Sequence, residues 1–233
     1  MMNILNNYIE SKLQDEGADI VGFGDLTALP SEVRKKFPVG ISVAVKYPTE
    51  VIRGISDFPT SEYNKWYINL NERLDNLVTI GAEILRKKGY NSVAMTRSEV
   101  GSGESEDNTV LPHKTVATRA GLGWIGKSAL LITEKYGAMI RLSSILTNAP
   151  LETANPISVS KCGDCLACAK ACPAGAISGK NWEIGLYRDE FFDPLKCRKT
   201  ARERAEQGFG GGNTICGKCI EICPYTRRAW QYR

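Results

Sequence analysis

The run CGDCLACAKACP at residues 162–173 places cysteines at 162, 165, 168 and 172, with Pro173 directly after the last. A shorter run, CGKCIEICP at residues 216–224, places them at 216, 219 and 223, followed by Pro224. Cys197 stands alone between the two runs, and together these are all eight cysteines of the 233-residue chain. The first spacing, C-x2-C-x2-C-x3-C-P, suits a cubane 4Fe–4S cluster. Two-residue gaps let three successive thiolates turn inward around one cube. The fourth, expected at the start of a helix, points away and reaches a second cube. A proline beside it suits the first helical turn, where its missing N–H costs nothing.

Applied to both runs, this crossing rule predicts two ligand sets. One is Cys162, Cys165, Cys168 and Cys223; the other is Cys172, Cys197, Cys216 and Cys219. The count closes with two clusters and no thiol left over, because Cys197 fills the position that the shorter run lacks. A disulfide framework would need an export signal and usually a smaller chain. Zinc ribbons use paired C-x2-C knuckles but not two C-x3-C-P endings. Electron transfer or redox catalysis follows as the function class.

Working outward, the composition changes near residue 150. Residues 1–20 carry Ile4, Leu5, Tyr8, Ile9 and Leu13 at helical spacing, and residues 62–88 carry Tyr63, Tyr67, Leu70, Leu74, Leu77, Val78 and Ile84 likewise, with Gly89 where a C-terminal cap belongs. The segments ADIVGFGDL, VGISVAVKYP and NSVAM read as strands. HKTVATRAG reads as a short helix ending at Gly121, and ALLITEKYGAMIRLSSILTNAP as two strands joined through YGA. Residues 97–112 form a long polar, glycine-rich loop. Helices alternating with strands predict an α/β domain over residues 1–155, and the cysteine runs a second domain over 156–233 built of short helices and turns.

Hydrophobic residues are 42% and charged residues 24% of the chain, ordinary for a globular protein. The N-terminus, MMNILNNYIESKLQDEG, lacks a basic region followed by an apolar run, and nothing resembles a membrane span or a twin-arginine signal, so a cytoplasmic location is expected. The formal charge is +4. Two oxidised cubanes with their thiolates would add about −4, which removes the basic balance as an argument for nucleic-acid binding. Arg227, Arg228 and Arg233 form a short basic tail that is either solvated or touches RNA.

The second informative segment is RAGLGWIGKSALLI at residues 119–132. Gly121, Gly123 and Gly126 permit close approach of backbone to a flat or anionic ligand. A dinucleotide-binding fingerprint is a poor reading, because no βαβ unit frames the glycines and no acidic residue stands in the ribose position. The bland reading is a tight turn packed under Trp124.

Together, AGLGWIGKSALLI, ILTNAPL, CGDCLACAKACPAGAI, the lone cysteine of LKCRKT and CGKCIEICPYTRR resemble a short, divergent member of the epoxyqueuosine reductase family, which is related to the reductive dehalogenases. The resemblance covers roughly residues 90–230. It implies a nitroreductase-like α/β cobalamin-binding domain followed by an α+β ferredoxin-like double-cluster domain. It implies cobalamin as a cofactor, with Gly121, Leu122, Gly123, Trp124, Ile125, Gly126 and Lys127 in contact with it and the clusters delivering electrons to cobalt. In the family the catalytic acid lies in an acidic-then-proline stretch ahead of AGLG. Asp107, in SEDNTVLPHKTVATRAG, is the nearest match, and His113 stands where glutamate is usual. His113 is the chain's single histidine and a second candidate proton donor. Only YTRRAWQYR follows the last cysteine run, where the family's enzymes carry further helical-repeat sequence that helps hold tRNA.

The function expected from this resemblance is an iron–sulfur, cobalamin-dependent reductase. Its partners would be a ferredoxin- or flavodoxin-type electron donor and either tRNA or a corrinoid protein, with no membrane. The alternative is an electron-transfer or activating protein that reduces the corrinoid of a partner. A flavin enzyme using the nitroreductase-like domain is a third reading.

Overall fold

The structure is a computed structural model that describes residues 4–100 and 109–231. Its elements, in chain order, begin with α1 (Ile4–Asp15), β1 (Ile20–Asp25), β2 (Val39–Lys46), α2 (Thr49–Arg53), α3 (Ser61–Lys87) and β3 (Ser92–Met95). They continue with α4 (His113–Arg119), β4 (Trp124–Ile125), β5 (Leu131–Ile132) and β6 (Ile140–Thr147). The cysteine-rich segment adds α5 (Ala167–Ala171), a 3-10 turn at Arg188–Glu190, α6 (Pro194–Phe209), α7 (Lys218–Glu221) and α8 (Pro224–Ala229). The mixed helix–sheet architecture expected from the alternating pattern is what forms.

The chain divides into two compact units that interleave along the sequence. One draws on Met1–Val45, Leu70–Leu122 and Arg141–Ile157, the other on Lys46–Asn69, Gly123–Ile140 and Ser158–Arg233. In the first unit a four-stranded sheet has the order β1-β2-β6-β3. The β1/β2 and β3/β6 pairs are antiparallel, with Val21 opposite Val43 and Ala94 opposite Ile145. No helix intervenes between β1 and β2, and so short a connection returns the chain antiparallel. The inner strand β2 is buried at seven consecutive positions, Val39–Val45, so both of its faces are covered.

The helical stripe read from residues 62–88 packs as expected: Leu70, Leu74, Leu77, Val78 and Leu85 are all buried. Gly81 lets the same helix approach β6, since a Cβ there would lie 2.4 Å from Ile145 Cδ1. The expected cap forms at Gly89, where φ is +88° and the Tyr90 N–H donates to the Leu85 carbonyl. A second cluster of Leu26, Met95, Leu111, Val116 and Leu146 closes the sheet beside α4.

The second unit holds the two-stranded β4/β5 ribbon, with Trp124 opposite Ile132. Its helices α5, α7 and α8 are only five, four and six residues long. Helix α6, at 16 residues, is longer than the turns and short helices expected after residue 156. Asp193 caps it by accepting the Lys196 N–H at 2.9 Å, Pro194 occupies the first turn and Gly210 ends it in the left-handed region.

Candidate metal centre

The second unit's turns bring the cysteines together. Cys162 and Cys165 lie on the loop before α5, Cys168 lies within α5, and Cys172 closes that helix. Cys197 sits in α6, Cys219 in α7, Cys216 just before α7, and Cys223 at the N-cap of α8. Helix α5 packs on α7, which draws the two runs side by side. The two Cys-Pro pairs differ. Cys223-Pro224 opens a helix as expected, whereas Cys172-Pro173 ends one and enters a turn that the Gly175 N–H closes on the Cys172 carbonyl at 3.1 Å. A proline after α5 cannot continue the hydrogen-bond ladder, so the chain leaves the helix there.

Cys162, Cys165, Cys168 and Cys223 line one cavity, together with Cys219, Gly126, Lys127, Ser128, Ile132, Pro224 and Tyr225. It has about 370 Å³ of space not filled by protein atoms, including space open to solvent. Burial pushes the Cys168 thiol up to about 11, reinforced by Cys162, Cys223 and Cys165. Burial likewise pushes Cys197 up to about 11, reinforced by Cys172 and Cys216. Burial also raises Cys219 well above the usual thiol value, reinforced most strongly by Cys197 and Cys216. Burial also raises Cys223, against hydrogen bonds from Thr226 and Tyr225.

Cys168 thus has Cys162, Cys223 and Cys165 as its charged neighbours and Cys197 has Cys172 and Cys216, while Cys219 borders both groups: it lines the first cavity and its charged neighbours include Cys197, Cys216, Cys168 and Cys172. All eight cysteines are free thiols. Buried, closely grouped thiols of this kind bind iron as thiolates: their protons are released to solvent and the metal supplies the compensating positive charge. Backbone donors are in place: the Ala176 N–H points at Cys172 Sγ at 3.4 Å.

The cavity also fits a cluster at its glycine. A Cβ on Gly126 would lie 2.7 Å from Ile132 Cγ1, so a side chain there would displace Ile132 from the cavity wall, while Cys162 Sγ would be in ordinary contact at 3.6 Å. Among the described residues, no three His, Cys, Asp or Glu side chains are grouped to hold a single metal ion.

The other sequence candidates are placed as follows. The chain passes from the first unit to the second between Leu122 and Gly123, inside the glycine-rich segment. Gly121 and Leu122 are half-buried, and Gly123, Trp124, Ile125, Gly126 and Lys127 are buried. Gly123 has a packing reason to be glycine: its Cβ would lie 2.1 Å from the Ile132 carbonyl oxygen, where β4 meets β5. Trp124 is fully buried with its ring edge-on to Tyr225 at 4.8 Å, and its Nε1 has no hydrogen-bond partner among the described residues. Leu122 lines a cleft in the first unit with Gly22, Phe23, Ala120, Glu152 and Ala154, about 630 Å³ including space open to solvent.

His113 begins α4, half-buried, with Nδ1 3.0 Å from Ser144 Oγ. Burial, then the Arg141 charge, lowers it to about 4 against a smaller opposing pull from Asp75. Near pH 7 its imidazole is neutral. Asp107 lies outside the described residues, as does Arg233. Arg227 pairs with Glu221 at 2.5 Å, and Arg228 lies over the Tyr225 ring at 4.2 Å. No described helix is long and apolar enough to cross a membrane.

Sequence reading placed a strand where β5 forms but missed β4 and its pairing with β5, the caps of α6 and the burial of Lys127. Only the caps carried a local signal, the Asp193-Pro194 start and the Gly210 stop.

Residues 161–226 match the family model of the 4Fe-4S double cluster binding domain. Over 138 residues the chain is 38% identical to an epoxyqueuosine reductase of Listeria monocytogenes, covering 56% of this chain and 32% of that protein. The fold is similar to that of a reductive dehalogenase whose structure suggests a mechanism for B12-dependent dehalogenation, with TM-score 0.72 and 19% identity over 95% of this chain and 33% of the other. It is also similar to an epoxyqueuosine reductase crystallised with an epoxyqueuosine-modified tRNA-Tyr stem loop, with TM-score 0.63 and 21% identity over 96% of this chain and 65% of the other. The resemblance to the epoxyqueuosine reductases is therefore present in sequence and in fold. The chain spans about a third of the length of the Listeria protein.

Proposed function

We propose that this chain is an iron–sulfur, corrinoid-dependent reductase of the epoxyqueuosine reductase type, acting on an epoxide-bearing tRNA nucleoside in the cytoplasm. The observation that carries the reading is the cavity walled by Cys162, Cys165, Cys168 and Cys223 beside Gly126, in a chain similar to epoxyqueuosine reductases over 138 residues. These four thiolates hold one 4Fe–4S cluster, and Cys172, Cys197, Cys216 and Cys219 hold the other. When bound, the clusters and the corrinoid supply single electrons at low potential.

The chain's own residues hold, orient and shield. The Ala176 N–H and the Thr226 and Tyr225 donors stabilise thiolate charge at Cys172 and Cys223. The β4/β5 ribbon closes water away from the cavity with Ile132. The accessible part of the glycine-rich segment, Gly121 and Leu122, takes the corrinoid, with the Leu122 cleft receiving part of it. His113, neutral near pH 7 and tied through Nδ1 to Ser144 Oγ, serves as a fixed hydrogen-bonding group, which leaves Asp107 as the proton donor.

A second reading has a specific observation in its favour. Five of the seven residues at 121–127 are buried within the chain, which suits an electron carrier that reduces the corrinoid of a separate protein. One experiment separates the two. The chain is reconstituted anaerobically with iron and sulfide, cobalamin is added, and the visible spectrum is followed. An epoxyqueuosine-bearing tRNA stem loop and a protein-bound corrinoid are then offered with a chemical reductant. Cobalamin binding with turnover of the stem loop is the expected result. Absence of cobalamin binding, with reduction of the partner's corrinoid, sinks the first reading in favour of the second.

A further inference from the structure

We propose that the outward face of α6 docks a small acidic carrier protein of the ferredoxin type, which passes single electrons to the cluster held by Cys172, Cys197, Cys216 and Cys219. The proposal rests on the ligand sets given above. Helix α6 presents two opposite stripes. Cys197, Ala201 and Ala205, spaced by four, form the inner one, with both alanines buried. Leu195, Lys199 and Arg202 form the outer one, all exposed, with Lys196 at its edge. Leu195 keeps 66% of its surface in water. A helix with its side chains is about 10–12 Å across, so a carrier seated on the outer stripe comes within about one helix diameter of Cys197.

The charge pattern selects an acidic partner. From Pro194 to Arg202 the helix carries Lys196, Arg198, Lys199 and Arg202 and no acidic residue. The positive end of a helix dipole disfavours cations, so this placement does not serve the helix itself, whereas it attracts an approaching anion. Other basic side chains of the second unit are matched locally: Lys161 with Glu134 at 2.6 Å, Lys180 with Glu190 at 3.1 Å and Arg227 with Glu221 at 2.5 Å. Lys199 and Arg202 have no ion pair or side-chain hydrogen bond among the described residues. Redox encounters use small interfaces, below about 1,200 Å², in which opposite charge steers the approach. A folded carrier can seat on the basic first half of α6 with Leu195 in the contact. RNA fits less well, because its phosphates would meet the exposed Glu203 and Glu206 and the stripe offers no aromatic ring for a base to stack on.

The step is a bare electron transfer. One iron of the reduced carrier goes from ferrous to ferric, and the cluster with its thiolates goes from a net charge of about −2 to about −3. No bond forms or breaks, and no proton has to move.

The test uses the full chain, reconstituted anaerobically and assayed for iron, then mixed in stopped flow with a reduced acidic 2Fe–2S ferredoxin at about 20 mM and about 500 mM salt. Reduced methyl viologen, which needs no docking face, reports whether the clusters accept electrons. At low salt, Lys199→Glu/Arg202→Glu is expected to lower the ferredoxin rate constant about tenfold or more, with the gap closing at high salt. Lys199→Gln/Arg202→Gln is expected to lower it about threefold, and decides the matter if the glutamate pair loads less iron. Lys36→Glu/Lys87→Glu makes the same change in net charge at exposed positions of the first unit and should stay within about twofold of wild type. Wild-type rates in both α6 pairs overturn the proposal, as does equal slowing by the Lys36/Lys87 pair. So does a wild type that viologen reduces and ferredoxin does not. Weaker binding of an epoxyqueuosine-modified tRNA stem loop by Lys199→Glu/Arg202→Glu, with its ferredoxin rate unchanged, assigns the face to RNA and overturns it too. A chain that takes up no iron overturns the ligand sets themselves, a distinct result that removes the docking proposal with them.

Discussion

Strand β2 is buried at seven positions running and sits between two other strands, while helix α5, which carries Cys168, has no buried residue at all. The first unit is held by apolar side chains from α1, α3 and the sheet. The second also buries Tyr47, Ile52, Ile55, Trp124 and Ile132, but apart from α6 the helices around its thiols have only four to six residues, too short to persist in water by themselves. The first unit rests on close-packed carbon alone. The second rests on it and on what its sulfurs bind.

The largest effect should come from removing iron. Chelation of the loaded chain is expected to abolish amide protection across residues 161–226 while leaving it at Ile41–Val45 and Leu74–Leu85. Structural metal binding contributes about 10 kcal/mol or more in small metal-held folds. Hydrogen exchange with mass spectrometry reads this directly, and equal loss in both units would break the comparison.

Next in size is a core deletion in the sheet unit. Leu77 is 1% exposed, and Leu77→Ala should cost about 2–5 kcal/mol in urea unfolding of that unit. The visible spectrum of the clusters should persist at urea concentrations where the sheet unit has already lost its CD signal.

A smaller effect concerns His113. Its unfolded imidazole takes up a proton near pH 6.5, its folded one only near 4. Protons therefore favour the unfolded chain as pH falls through 6.5. The contribution is fully present above that value, declines between pH 6.5 and about 4, and levels off below. Its ceiling is about 3 kcal/mol. His113→Gln should flatten that slope in denaturation curves taken from pH 7 to pH 4.

The smallest effect is expected at the surface of the first unit, where Lys35 meets Glu99 at 2.6 Å with both side chains well exposed. Lys35→Ala should change stability by less than about 1 kcal/mol, and by less still at high salt.

How much of this was legible from sequence differs between the units for a physical reason. Helix α3 and strand β2 announce themselves because burying one stripe or both faces imposes a period on the residues. The two clusters announce themselves through spacing, since a cube constrains the gaps between its thiolates. Strand β4 has two residues, too few for any alternation to register, and the strand read from ALLIT gives no sign that it pairs with β4 and not with β6. Helix α6 buries only Ala201 and Ala205, so it lacks an apolar stripe, and only its caps mark it. Nothing local in GWIGKS distinguishes a buried Lys127 from a solvated one. Its burial accompanies β5 folding against Gly123, a contact made by backbone nine residues further on.

The interleaving of the two units bears on how the protein is made. The sheet's inner strand β6 leaves the ribosome only after residues 123–140, which belong to the other unit. Until then, β2 has β1 on one side and an open edge on the other. Residues 46–69 are synthesised early but belong to the unit whose last cysteines, at 216, 219 and 223, emerge much later. A translating ribosome thus carries two unfinished halves at once, with an apolar strand edge of the sort that invites aggregation. Slow elongation before residue 140, or scarce chaperone capacity, should lower the yield of this protein more than that of a chain whose units are laid down one after the other.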